Sequence, residues 1–255
     1  MARLLYNSNN EQHITNRADL FQFATPAPLG RMHKPVGFGE WADLVATELD
    51  GAGVQINTEE YAVSNDGGKM FGLMSISPME GELITSKEWE LLIGLRGSND
   101  QSVQRGLTIG TRVMVCSNLC FSGDLGRWQT KQTTHINSRL PAIVRNALSY
   151  LPAMADRENA RHDKYKLTTL RERACDAALV EIYRRDGMTA AQLGRAVDEL
   201  HNPTYAEHAA DGYNVWRTWN AVTEALKPSG NNFNHELLRQ RSQVATKFFD
   251  EVVGL

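Results

Sequence analysis

At about Asn137 the spacing of apolar residues changes, from short runs and alternations to recurrences three and four apart. Before that point "EWELLIGLRGS" reads as a largely buried strand, and "TRVMVCSN" and "LCFSG" read as two more, divided by a turn at Ser117-Asn118. "VQINTEEYAVSNDGGKMFGLMSIS" reads as a hairpin in which Asn65-Asp66-Gly67-Gly68 supplies the positive-φ residues of a tight turn. After it, "SRLPAIVRNALSYLPAMADRENARHDKY", "TTLRERACDAALVEIYRRDG", "TAAQLGRAVDELHN", "YNVWRTWNAVTEALKPSG" and "NHELLRQRSQVATKFFDEVV" all carry helical periodicity. A strand-rich half over 1–136 followed by a helical half over 137–255 predicts an α+β fold: an antiparallel or mixed sheet with helices, packed as one domain.

Local punctuation agrees with this division. "TPAPLGRMHKPVGFG" has too many prolines and glycines for regular structure and predicts a loop packed over the body. "EWADLVATELDGAG" places Trp41, Leu44, Val45 and Leu49 on one helix face, with Gly51 as the stop. Thr189 caps a later helix, and Gly187, Pro203 and Pro228-Ser229-Gly230 break the others.

With 42% hydrophobic and 22% charged residues the chain has the balance of a globular protein, and no apolar run is long enough to span a bilayer. The polar start after Met1-Ala2-Arg3-Leu4-Leu5 offers no signal-peptide core, and three cysteines fit a reducing compartment, so the expected location is a cytoplasm. The net charge of −3 conceals a segregation: residues 36–90 hold eleven acids and two bases, whereas residues 91–185 hold fifteen bases and eight acids. Binding follows local potential more than the sum, so the basic middle is where a polyanion would bind. Mutual attraction of the two parts accounts for some of the pattern but not for the exposed-type aromatics that the basic part also carries.

Three constellations invite a catalytic or metal reading. Ser98, Asp100 and His135 supply the residue types of a hydrolytic triad, but "GLRGSND" lacks the strained Gly-x-Ser-x-Gly elbow and reads as a turn whose side chains bond their own backbone. Cys116, Cys120 and His135 are three candidate ligands where a closed zinc site needs four, and Cys116 within the alternating "RVMVC" fits a small buried hydrophobe. No Walker-type or dinucleotide glycine motif follows a strand. No catalytic residue, cofactor or metal is expected.

The segment "GDLGRWQTKQTTHINSR" sets Arg127, Trp128, Lys131, His135 and Arg139 in polar surroundings opposed only by Asp124. Cations that follow phosphates beside flat rings that stack on bases are what an unpaired strand requires. Arg105 and Arg112, read as lying on a neighbouring helix and strand, and Arg145 extend the set; "RHDKYKL" adds Arg161, Lys164, Tyr165 and Lys166, with Arg157, Arg171 and Arg173 nearby. Phosphates are expected along Arg105, Arg112, Arg127, Lys131, Arg139 and Arg145, with Trp128 and Tyr165 stacking bases. On residues alone this reading and that of a solvated helix surface stand level.

Trp216, Trp219, Val222 and Leu226 recur three to four apart and predict core or subunit contact, while Arg217 points elsewhere and is within reach of a phosphate. The pair around "EIYRRDGMTAAQLGRAVDEL" has the outline of a helix-turn-helix, but Arg195 stands against Asp198 and Glu199, too few donors for a major-groove reader. "KFFDEVVGL" reads either as an acidic-aromatic recruiting tip or as the end of an amphipathic helix on a sister subunit.

"LRGSNDQSVQRGLTIGTRVMVCSN" resembles the signature of a phage- and plasmid-encoded family long classed as a domain of unknown function, in which a Ser-His/Asn-Asp turn precedes a basic strand and Val-Cys-Ser-Asn; "WRTWNAVTEAL" is similar to its second block. "GAGVQINTEEYAVSNDGGKMFGLMSI" extends the likeness upstream. Asn99 stands where many relatives have histidine, which argues against a catalytic histidine at this turn. The length and layout are most similar to a single-stranded-DNA-binding member of that family. The resemblance implies a non-OB fold, binding of single-stranded DNA, self-association as a homo-oligomer with a tetramer among the expected sizes, and delivery of a phage-encoded RNA polymerase to melted promoters in the cytoplasm of an infected bacterium. Two rivals accompany it: a structural or host-interaction protein that binds another protein through the acidic half, and a DNA-processing enzyme using a divalent metal.

Overall fold

The computed structural model describes residues 10–78, 89–113, 118–120, 127–210, 212–227 and 235–255. The fold is α+β. The chain divides into two compact units, one of residues 1–85, 90–110 and 125–154, the other of 86–89, 111–124 and 155–255. Among the described residues no helix is long and apolar enough to cross a membrane.

The first unit is built on an antiparallel sheet in which neighbours in sequence are neighbours in space: β1 (Glu11–Ile14), β2 (Val54–Ser64), β3 (Lys69–Pro78), β4 (Trp89–Ser98) and β5 (Arg105–Val113). The β2–β3 hairpin closes at the predicted turn. Gly67 takes φ 66°, and Asp66 Oδ1 accepts from Gly68 N at 2.8 Å and from the Ser64 hydroxyl, bonds that hold its carboxyl below the usual range. Helix α1 (Phe38–Gly51) buries Phe38, Trp41, Val45 and Leu49, the face its spacing predicts, with Leu44 at the margin. Consecutive burial of Leu91, Leu92 and Ile93 shows β4 covered on both sides, as its unbroken apolar run requires.

Two stretches differ from the reading of the sequence. Residues 127–130, read as an irregular polar segment, form strand β7 (Arg127–Thr130), paired antiparallel with β5 from Arg105↔Thr130 to Thr108↔Arg127. Gly106 makes that pairing close, because a Cβ there would stand 2.6 Å from the Trp128 carbonyl oxygen. Arg105, read as helical, therefore opens strand β5. The long helical stretch after residue 136 is two helices, α2 (Ile136–Ser149) and α3 (Leu151–Leu167), joined at Tyr150. Of these, α2 packs on α1 and β7 in the sheet unit.

The second unit surrounds α7 (Val215–Leu226), whose residues are buried on nearly every side. Around it lie α3, α4 (Glu172–Arg184), α5 (Ala190–His201), the short α6 (Ala206–Ala210) and α8 (His235–Val253), and the end of β5 pairs with β6 (Asn118–Cys120). Thr189 caps α5 as predicted, its hydroxyl accepting from Gln192 N. Trp216 and Trp219 stack at 5.3 Å in the core, the bland reading of their spacing. The C-terminal aromatics Phe248 and Phe249 are buried beside them and Asp250 is bonded to Arg161, so "KFFDEVVGL" presents no exposed acidic-aromatic tip.

Candidate nucleic-acid interface

The sequence assigns eleven residues to strand binding, and their burial separates them. Arg105 is fully buried: Nη2 donates to Val36 O at 2.6 Å and to Asn99 Oδ1 at 2.9 Å, and the guanidinium lies 4.6 Å from the centre of the Phe38 ring. Gly97 leaves the space it fills, since a Cβ there would be 2.3 Å from Nη1. Burial pushes its pKa down to about 10, opposed by the charge of Glu40, and it remains a cation at neutral pH. Arg161 is buried between Glu158 and Asp250, whose charges hold it firmly protonated. Tyr165 is also buried, with its hydroxyl donating to Asp250 Oδ1 at 2.8 Å and its ring edge-on to Trp219 and Phe249. None of these three can touch a strand: Arg105, Arg161 and Tyr165 are framework residues. The same correction applies to Arg217, which donates through Nε and Nη2 to Leu200 O and satisfies the carbonyl end of α5.

Arg112 and Arg127 lie on β5 and β7, but their side chains, like Cys116, fall outside the described residues. Arg145 is 61% exposed yet bonded to Glu48 of α1 at 2.7 Å. Six residues after Arg139, it points about 120° away around α2. In the helical unit, Lys164 is exposed and reaches Gly254 O at 3.4 Å, and Lys166 lies 5.2 Å from the centre of the Trp216 ring.

What remains together is the corner between β7 and α2 in the sheet unit. Lys131, His135 and Arg139 are exposed, and among the described residues none of their side chains is hydrogen-bonded or ion-paired. Beside them Trp128 is half-buried, its Nε1 donating to Asn146 Oδ1 at 2.8 Å, with its ring 5.9 Å from Tyr150. Asn146 falls seven residues after Arg139, two turns along the same stripe of α2. Tyr150, 52% exposed, is the more available ring, and its sequence gives no sign of this because it reads as mid-helix.

A strap from the N-terminal loop runs along this corner. Lys34 N donates to Gln132 O at 3.2 Å, His33 and Thr133 form an isolated antiparallel bridge, and the buried Gln132 side chain accepts from Val36 N and donates to Ser98 O. Gln132 thus joins strap, corner and the end of β4.

The triad residues do not assemble. Ser98 is buried, its Oγ accepting from Val103 N at 2.8 Å, and Asp100 Oδ1 accepts from Ser102 N at 2.9 Å and from the Ser102 hydroxyl. The Ser102 hydroxyl, and after it that of Ser98, holds the Asp100 carboxyl down to about 2. This is the self-bonded turn its composition predicts. Among the described residues no three His, Cys, Asp or Glu side chains are grouped to hold a metal ion.

Because β7 carries Trp128 and leads into Lys131, widening its pairing should disturb the whole corner. We expect Gly106→Ala to cost about 1–3 kcal/mol, since the clash is with backbone that cannot rotate away. Thermal unfolding of the variant measures it, and an unchanged midpoint would show that β7 is held by α2 alone. Comparison with known proteins finds no family model, no curated protein and no solved structure that matches this chain.

Proposed function

We propose that the protein binds single-stranded DNA without base specificity and serves a phage-encoded RNA polymerase as a non-catalytic cofactor. The observation that carries the binding reading is the β7–α2 corner, where Lys131 and Arg139 stand exposed without carboxylate partners among the described residues, next to the Trp128–Tyr150 pair. Cations free of internal partners retain their charge for phosphates, and a ring with one open face is a stacking platform for a base. The acids of the first unit favour the same corner, because several are already engaged: Asp43 and Glu59 with Arg17, Glu60 with His13, Glu48 with Arg145. The polymerase, the homo-oligomer and the infected bacterial cytoplasm rest on the sequence resemblance. A ligand that binds only the melted form of a promoter shifts opening toward it by mass action, so such a cofactor needs no chemistry of its own.

Fluorescence titration with single-stranded and duplex oligonucleotides across a range of salt tests this. Log affinity for the single strand should fall linearly with log salt, and Lys131→Ala/Arg139→Ala should reduce the slope by about 1.4, roughly 0.7 for each phosphate no longer neutralised. Equal affinity for duplex, or a slope indifferent to both substitutions, would place the function elsewhere. Magnesium-dependent loss of the oligonucleotide would replace this reading with that of a DNA-processing enzyme.

A further inference from the structure

We infer that the strap over residues 29–36 is the second wall of the strand-binding path, with Arg31 and Lys34 contacting phosphates opposite Lys131 and Arg139, and with Met32 meeting the bases. This rests on the single-strand reading of the β7–α2 corner.

The strap is tied down at its base and open at its tip. Its base is fixed by the Lys34–Gln132 backbone bond, the His33–Thr133 bridge and the Val36–Gln132 bond. Its tip is a closed turn: His33 N donates to Gly30 O at 3.3 Å, Leu29 N donates to His33 Nδ1 at 2.9 Å, and Gly30 takes φ 129°, which a residue with a side chain adopts only under strain. This turn presents Leu29 and Met32 to solvent at 68% and 63% exposure, together with the exposed Arg31. His33↔Thr133 is an isolated bridge with turns at 31–32 and 134–135 on either side of it, and the Lys34–Gln132 backbone bond sets Lys34 beside the residue that follows Lys131.

Two basic segments therefore meet at this bridge. Among the described residues Arg31, Lys34, Lys131 and Arg139 have no hydrogen-bonded or ion-paired side chain. Like charges brought together without counterions repel, modestly in water and more as solvent is excluded, so the arrangement favours a polyanion between them. The exposed apolar tip next to these cations fits an unpaired strand, whose bases offer apolar faces beside the phosphates. An acidic peptide satisfies the cations but leaves Met32 and Leu29 without a match.

The test compares the salt dependence of oligothymidylate binding for the wild type, Arg31→Ala/Lys34→Ala, Lys131→Ala/Arg139→Ala, and Arg184→Ala, whose side chain is 72% exposed on α4. The strap variant should lower the slope by about 1.4, as the corner variant does, and Arg184→Ala should leave it unchanged. If the corner variant lowers the slope and the strap variant does not, the strap is no part of the path although the corner still binds. If the wild type shows no salt-dependent binding of the single strand, the corner reading itself has failed. Photo-crosslinking of an iodouracil-substituted single strand to the wild-type protein gives a second readout free of any folding defect: the labelled peptide should include Met32 or Lys34, and labels confined to other segments overturn the inference. Competition by polyglutamate as strong as that of oligothymidylate at equal charge would assign the groove to acidic peptides instead.

Discussion

Replacing Arg161 by methionine is expected to lower the unfolding free energy by about 3–5 kcal/mol, the cost of leaving buried carboxylates without their cation. Arg161 is held by Glu158 one turn earlier on α3 and by Asp250 on α8, donating from Nε and Nη2 to the two Asp250 oxygens at 2.8 and 3.0 Å. Asp250 also receives the Tyr165 hydroxyl, so a single guanidinium supports two carboxylates and, through them, an aromatic wall of Tyr165, Trp219 and Phe249. The loss should appear in urea denaturation followed by tryptophan fluorescence, since Trp216 and Trp219 adjoin the cluster. Replacing all three charges, as Glu158→Leu/Arg161→Met/Asp250→Leu, should recover most of it, because burying an ion pair gains little over packing apolar groups of similar volume. A loss under about 1 kcal/mol for the single variant would mean that the carboxylates take up protons or water when the arginine is gone.

The second large effect is acid destabilisation centred on His162. Its imidazole is buried against Trp216 and Trp219, with ring centroids 4.8 and 5.8 Å away, and burial pushes its pKa down to about 3, aided by the charges of Arg161 and Lys166. Glu158 Oε2 lies 4.0 Å away, but burial pushes that carboxyl above the usual range and its other oxygen receives the Arg161 guanidinium, so burial prevails at the imidazole. In the unfolded chain histidine titrates near 6.5. The native state therefore holds the ring neutral while the unfolded state takes up a proton, and stability present above pH 6.5 is lost as pH falls toward 3. The slope approaches 1.4 kcal/mol per pH unit and the full loss is on the order of 4–5 kcal/mol. Unfolding free energies of wild type and His162→Phe, measured from pH 7 to pH 4, should converge and then cross in favour of the variant. Parallel curves would show that the imidazole is protonated in the native state.

Much of the architecture follows from local pattern. The hairpin at Asn65–Gly68, the buried face of α1, the fully covered β4, the Thr189 cap and the core position of Trp216 and Trp219 are all written in residue type and spacing over a few positions. β7 is not, because "RWQT" is too short and polar to declare itself, and its strand character comes from β5 and from the close approach that Gly106 permits. The candidate site is the least legible part. "RHDKYKL" and "RWQTK" look alike as strings, yet the first turns its arginine and tyrosine inward to Asp250 while the second leads to an exposed lysine.

Alone, the amino-acid order determined periodicity, and with it the α+β class, because helix and strand each impose a repeat that neighbouring residues must satisfy. Only the tertiary structure decided which cations face solvent. The partners that bury Arg105 and Arg161 come from 69 and 89 positions away, and those that set Lys34 beside Gln132 cross a comparable span. Charge is a property of a residue, whereas its availability to a ligand is a property of what the rest of the chain places around it.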